Sequence, residues 1–245
     1  DVIDELTSGG TDRLELLGIS ESDVTVSRIG NDVILTIAES VEGADDGGSV
    51  TLKQSFNDYY SRGVETIVLE DATWSQAQLR ARLISESATT GDDAITGSSG
   101  ADTLIGDLGN DVLSGGDGSD VYKFTRGDGQ DTILDDGFTD TDVIRISGYL
   151  TSEIEFVQSA WARDALEIRF AGTDDLITVI NTLDGDYYDQ IERIELLDGT
   201  GAVTASWMIG QLRQQLLAQS TDGDDRIVGF DTADTLAGGL GNDIL

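Results

Sequence analysis

The chain contains no cysteine, no histidine and no proline among its 245 residues. Without cysteine no disulfide can staple the fold and no thiol nucleophile is available. Without histidine the commonest general base is missing, and so is any zinc site built on Cys or His. Basic residues are scarce too: 14 Lys and Arg stand against 48 Asp and Glu, a formal charge of −34. Such a surface repels phosphate-rich partners and attracts cations, which excludes nucleic acid as a partner. No apolar run approaches the roughly 20 residues of a membrane-spanning helix, and no basic stretch precedes an apolar leader. The chain reads as an excised piece of a longer protein, so the missing leader says little about the parent.

What is present is periodic at two scales. The short period is nine residues: ATTGDDAIT (88–96), GSSGADTLI (97–105), GDLGNDVLS (106–114) and GGDGSDVYK (115–123). Gly holds the fourth place and Asp the sixth in all four, and the eighth is Ile95, Leu104, Leu113 and Tyr122. A fifth unit, RGDGQDTIL (126–134), follows after two extra residues, Phe124 and Thr125. The long period is about 130 residues. STDGDDRIVGFDTADTLAGGLGNDIL (220–245) lies over residues 88–113 without a gap, and DVIDELTSGGTDRLEL (1–16) over DTILDDGFTDTDVIRI (131–146). VETIVLEDAT (64–73) matches IERIELLDGT (191–200), and WSQAQLRARLI (74–84) matches WMIGQLRQQLL (207–217). The chain is nearly two copies of one module.

Nine residues with one apolar place are too few for a helix pair, but they suit a loop of about six residues followed by a strand of three. Glycine gives the loop positive φ and close backbone approach, and alternation along the strand turns the eighth place inward. Successive loops then fall on alternate sides of a two-sheet coil, with Asp93 above Asp111 on one side and Asp102 above Asp120 on the other. Stacked carboxylates about 5 Å apart repel by roughly 1–3 kcal/mol per pair. Between residues 91 and 142 there are thirteen Asp, no Glu and only two basic residues, Lys123 and Arg126. A divalent cation between loops reverses the sign of that interaction. Calcium suits it best, because it takes 6–8 oxygen ligands in flexible geometry; magnesium prefers a strict octahedron and keeps its waters.

The nonapeptides, GGDGSDVYK above all, resemble the GGxGxDxUx calcium-binding repeats of the RTX (repeats-in-toxin) proteins. The resemblance implies an all-β fold in which parallel β-roll calcium-binding tracts alternate with β-rich domains, each ending in a short α-helix. It also implies Ca2+ ligands at Asp93, Asp102, Asp111, Asp120 and Asp131, then at Asp225, Asp234 and Asp243. The stretch that often closes such a roll adds Asp128 and Asp142 and, through the internal match, Asp1 and Asp12. Ser98, Ser99 and Thr232 depart from the motif.

The expected domains are the end of a roll (1–14), a β-rich domain (15–86), a roll (87–144), a second β-rich domain (145–218) and the start of another roll (219–245). Alternating apolar residues such as Leu166, Ile168 and Phe170 predict half-buried strands. Helices are expected at 76–84, entered by Thr73 or Ser75 with Gln three places on, and at 208–217. Trp74 and Trp207 precede them as packing anchors, while Trp161 has no counterpart. The tyrosine pairs Tyr59–Tyr60 and Tyr187–Tyr188 suit strand packing or sugar stacking. Acid pairs such as Asp174–Asp175 arise by chance among 48 carboxylates. The function expected is a calcium-dependent structural module of a secreted or cell-surface bacterial protein, without catalysis, folding on Ca2+ and stiffening a tandem array. Its expected partners are calcium, further copies of itself and a surface polysaccharide. The alternatives are a carbohydrate-binding module and the non-catalytic part of a secreted enzyme.

Overall fold

The chain folds as two units, Asp1–Ser87 and Ala88–Leu245. The structure, a computed structural model, describes all residues except 5–10, 57–62, 136, 138–140, 163, 184–190, 219–221, 225–226, 228, 231–232 and 245. Tyr59, Tyr60, Tyr187, Tyr188, Asp225 and Thr232 therefore lie outside the described residues.

In the first unit β1 (Val2–Ile3), β5 (Gly48–Leu52), β4 (Asp32–Ile37) and β3 (Val24–Ile29) form one sheet in that order; β2 (Arg13–Glu15), β6 (Thr66–Val68) and β7 (Thr73–Ser75) form another. Among the described residues only β1–β5 and β2–β6 pair in parallel. Period-two alternation buries Val24 and Val26 on β3, Val33 and Leu35 on β4, and Val50 and Leu52 on β5, against Phe56, Ile67 and Trp74. Helix α1 (Gln76–Ser87) starts where the sequence predicts. The Ser75 N–H donates to Gln78 Oε1 (2.9 Å), and the Gln78 N–H donates to Ser75 Oγ (3.3 Å), a reciprocal cap. Leu79, Leu83 and Ile84 face the core. Trp74 donates its indole N–H to Glu21 (2.8 Å), and the Arg82 guanidinium lies 4.6 Å over its ring while also pairing with Glu21 and Glu86. Leu35→Ala, at a site with no solvent exposure, is expected to lower this unit's stability by about 2–5 kcal/mol in chemical denaturation.

The second unit carries the nonapeptides. Their seventh to ninth places form β8 (Ala94–Thr96), β9 (Thr103–Ile105) and β10 (Val112–Ser114), and the fourth repeat opens β11 (Val121–Thr125). Each three-residue strand buries its middle residue, as the spacing predicts. The chain then forms β12 (Gln130–Ile133), β13 (Asp142–Ser147), β14 (Ile154–Gln158), β15 (Leu166–Phe170), β16 (Leu176–Val179), β17 (Ile191–Leu197), β18 (Val203–Met208) and α2 (Ile209–Leu217). Two sheets result, ordered β14-β15-β16-β12-β10-β8 and β18-β17-β13-β11-β9. Their shared portions, β8 to β12 with β16 and β9 to β13 with β17, are parallel, and consecutive turns alternate between sheets. This is a parallel β-roll.

Two apolar columns fill the roll. Ile95, Leu113, Ile133 and Val179 are in register in one sheet, and Leu104, Tyr122, Ile144 and Ile194 in the other; all are buried. The two residues that interrupt the nine-residue count lengthen β11, so Phe124 becomes a second inward residue. It stacks on Phe170 at 5.4 Å, and Phe170 stacks on Tyr149 at 4.1 Å. The roll expected over 87–144 and the β-rich stretch expected over 145–218 are thus built on the same two sheets, and β13 runs through the boundary between them. Helix α2 starts at Ile209 without a side-chain cap. Trp207 packs edge-on against Phe156, and Trp161 is 94% exposed.

The long period has its structural counterpart. In the first unit β1 and β2 meet β5 and β6 in parallel, while β3-β4-β5 and β6-β7 are antiparallel; in the second, β12 and β13 meet β16 and β17 in parallel, while β14-β15-β16 and β17-β18 are antiparallel. Residues 1–87 therefore repeat the topology of the stretch from β12 to α2. Among the described residues of 219–245 no extended strand forms, although the Ile227 N–H bonds the Ile244 carbonyl at 2.9 Å.

Candidate metal centre

The sixth-place aspartates form two rows, one along each side of the roll. On the first, the backbone N–H of Asp93 donates to Asp111 Oδ1 (2.8 Å), and that of Asp111 to Asp131 Oδ1 (3.0 Å). On the second, the Asp102 N–H donates to Asp120 Oδ1 (2.8 Å), and the Asp120 N–H to Asp142 Oδ1 (2.6 Å). The carboxylates of Asp111, Asp131, Asp120 and Asp142 thus reach back to the turn before on their own side. The expected juxtapositions, Asp93 with Asp111 and Asp102 with Asp120, are both present.

In Asp111 and Asp120 one oxygen makes this bond, whereas the first carboxylate of each row bonds within its own turn. Asp93 Oδ2 accepts the N–H and hydroxyl of Thr89, and Asp102 Oδ2 those of Ser98. In the next turn the second place is Asp107, which supplies no such hydroxyl, and among the described residues the buried Asp111 Oδ2 has no hydrogen-bond partner. Asp111 is 1% exposed. A buried carboxylate oxygen without a donor costs free energy unless a cation answers it.

The glycines explain the rest of the motif. A side chain at first-place Gly106 or Gly115 would overlap the carboxylate of Asp111 or Asp120, and the same relation joins Gly229 to Asp234 and Gly238 to Asp243. At the fourth place, a Cβ on Gly109 would lie 2.6 Å from the Gly91 carbonyl oxygen, and one on Gly118 would lie 2.5 Å from the Gly100 carbonyl carbon. Loop backbone therefore stacks on loop backbone, placing main-chain carbonyls beside the carboxylate rows.

A second ladder runs at the fifth place. The Asn110 N–H and side-chain amide both donate to Asp92 Oδ1 (2.8 and 3.3 Å), and the Gln130 N–H donates to Asn110 Oδ1 (3.1 Å). In the C-terminal tract Asn242 makes the same two bonds to Asp224, with the same distances. There Asp234 accepts the Phe230 N–H at 2.6 Å, and Asp243 folds over Gly238. Asp225 is outside the described residues.

Asp128 lies in the Arg126–Gly127–Asp128 corner. Its Oδ2 accepts the Thr125 N–H (2.7 Å), and its carbonyl accepts the Gly109 N–H (2.8 Å). Asp175, from the β15–β16 connection, accepts the Gly127 N–H (2.9 Å) and the Tyr149 hydroxyl. Arg126 braces the corner through Glu153 and the face of Tyr149. In the first unit Asp12 donates its N–H to Glu65 Oε2 (2.6 Å), and Asp1 is exposed, its carbonyl accepting the Thr51 N–H.

Burial pushes the Asp131 carboxyl up to about 7 and that of Asp128 up to about 6, reinforced by neighbouring carboxylates that include Asp175 for both. Asp111 is raised for the same reasons, with Asp93, Asp92 and Asp107 as its charged neighbours. The fold concentrates negative charge beyond what its own donors satisfy. Among the described residues no three acidic side chains gather as a carboxylate cage. A cation here would take main-chain carbonyls together with single carboxylates, an all-oxygen donor set that fits calcium.

The family model "RTX calcium-binding nonapeptide repeat (4 copies)" matches residues 87–122 and 218–245. Both tracts are RTX calcium-binding repeats. Their cofactor is Ca2+. No curated protein sequence matches the chain. Among solved structures, the extracellular lipase LipA of Serratia marcescens is similar at 18% identity with a TM-score of 0.27, over 73% of this chain and 31% of the lipase. The chain thus spans about a third of that protein's length.

Sequence reasoning missed three participants: the fifth-place ladder, Asp175, and the glutamates Glu65 and Glu192. The glutamates were visible as identical residues in VETIVLEDAT and IERIELLDGT. Asp175 gave no signal, since position 48, its counterpart by the same offset, is glycine.

Proposed function

We propose that the chain is a non-catalytic, calcium-dependent structural module of an extracellular protein, in which ions held between successive RTX turns join them into a stiff tandem element. Asp93, Asp111, Asp128 and Asp131 serve one side of the main roll, and Asp102, Asp120 and Asp142 the other. Asp1 and Asp12 serve the corresponding place in the first unit, and Asp225, Asp234 and Asp243 the C-terminal tract. The observation that carries this reading is Asp111: one carboxylate oxygen is spent on the Asp93 amide, and the other is buried with no donor to meet it among the described residues. Calcium supplies the missing positive charge. The chain's own part is to fix the carboxylates through the amide ladder and to bring loop carbonyls close through glycine.

An extracellular setting supplies calcium at the concentrations such modules require, and a fold without disulfides depends on it. No helix among the described residues is long and apolar enough to cross a membrane. Isothermal calcium titration of the full chain, with magnesium as control, tests the reading. Several calcium ions per chain are expected, with little response to magnesium. Asp111→Ala should weaken binding on the Asp93 side by tenfold or more and leave the Asp102–Asp120 side nearly unchanged; equal loss on both sides would contradict the two-row arrangement.

One observation favours an added adhesive role. Trp161 is 94% exposed in the connection between β14 and β15, a site with no match in the first unit. Binding of the calcium-loaded chain to a polysaccharide on a glycan array, lost in Trp161→Ala, would support that role.

A further inference from the structure

The second row does not end with the nonapeptides. Asp142 donates its backbone N–H to Glu192 Oε2 at 2.7 Å, the bond each earlier member of the row makes to the aspartate of the following turn. Glutamate is one methylene longer than aspartate, and the backbone accommodates it. Register slips between Asp142 and Val143, which face Ile191 and Arg193, so Glu192 is the extra residue of a β-bulge. Bulges re-aim a side chain, here one on a strand that otherwise carries the core residues Ile191 and Ile194.

The first unit repeats this arrangement independently. Asp12, the counterpart of Asp142, donates its N–H to Glu65 Oε2 at 2.6 Å. The N–H groups of both Glu65 and Thr66 donate to the Asp12 carbonyl at 3.2 Å, so two residues again face one. The first row ends otherwise. Asp131 is in register with Ile177, which offers no carboxylate, and the nearby acid Asp175 turns to Gly127 instead.

We infer that Glu192 and Glu65 complete the last metal position of the second row, standing in for the sixth-place aspartate of one further turn. The inference rests on the calcium-binding reading above. A glutamate from the antiparallel part of each module thereby ties that part to the metal as well as to the sheet. It also fixes where the roll stops, because the bulge that aims the glutamate breaks the regular register.

Glu192→Gln separates this role from a simple backbone cap, since glutamine keeps the length and an acceptor oxygen for the Asp142 amide but loses the charge. Calcium titration of the full chain is expected to show one ion fewer, or one site weakened at least tenfold, with the strand signal in saturating calcium unchanged. Glu65→Gln should do the same for the first unit, and the double variant should lose two. Wild-type stoichiometry and affinity in both single variants would overturn the inference. Should Glu192→Gln fail to fold, Glu65→Gln decides. If the unaltered chain takes up no calcium, it is the proposed function that falls, an outcome distinct from any result with the variants.

Discussion

Stripped of calcium at pH 8, the tract from β8 to β13 is expected to lose most of its strand signal, and acid is expected to restore part of it. Asp131 keeps its proton up to about 7 in the folded roll and Asp128 up to about 6, against an ordinary value of 3.8. Between those limits the folded state binds more protons than the unfolded chain, so its stability falls as pH rises. The contribution of these two groups is complete below about pH 4 and is lost as pH climbs through 6 and then 7. Protons and calcium relieve the same repulsion and should substitute for one another. At a Kd of about 0.1 mM, in the range of extracellular modules, about 10 mM calcium adds roughly 2.7 kcal/mol per site. Two or three sites would then rival the net stability of an ordinary domain, about 5–15 kcal/mol. Urea denaturation of calcium-stripped protein at pH 5 and pH 8, with and without added calcium, checks both halves. A metal-free roll more stable at pH 8 than at pH 5 would contradict the buried-carboxylate account.

Replacement of Gly118 by alanine should be nearly as damaging as removal of the metal. Gly118 has φ +115°, and a Cβ there would lie 2.5 Å from the Gly100 carbonyl carbon, far inside van der Waals contact. The backbone strain and the forced separation of stacked loops together cost about 2–6 kcal/mol. The loops can part only by widening the gap across which the Asp102 amide reaches Asp120. Calcium affinity should therefore fall along with stability. Gly172→Ala is the control: φ is +84° but nothing lies within 4 Å of the added carbon, so strain alone remains and calcium binding should be untouched. Thermal melts and calcium titrations of the two variants in parallel would show whether loop stacking, rather than positive φ alone, sets the glycine requirement.

Features that depend on near neighbours in the chain were legible in the sequence. The three-residue strands, the inward eighth place and the pairing of Asp93 with Asp111 follow from nine residues of local geometry repeated without interruption. The reciprocal cap at Ser75 and Gln78 was legible for the same reason. Pairings between distant segments were not. Nothing local announces that Thr132 meets Thr178, or that Ile144 meets Ile194, because strands without a strict period can be paired in many ways. The domain boundary expected at 144 was drawn where the repeat composition stops, whereas the sheets continue past it. Glu192 escaped notice because a bulge, not a spacing rule, brings it to Asp142. Asp111 and Asp102 look alike as sequence, yet Asp102 Oδ2 accepts the N–H and hydroxyl of Ser98, whereas among the described residues Asp111 Oδ2 meets no donor.

The shared sheets also prescribe an order of assembly. Hairpins β14-β15-β16 and β17-β18 close short loops, whereas β13 must wait for a partner about fifty positions away along the chain. Once β12 and β13 have docked, every earlier strand needs only an eighteen- to twenty-two-residue step to reach a template already in place. The roll would then grow by accretion from a nucleus at its C-terminal end, each ion sealing the rung just laid.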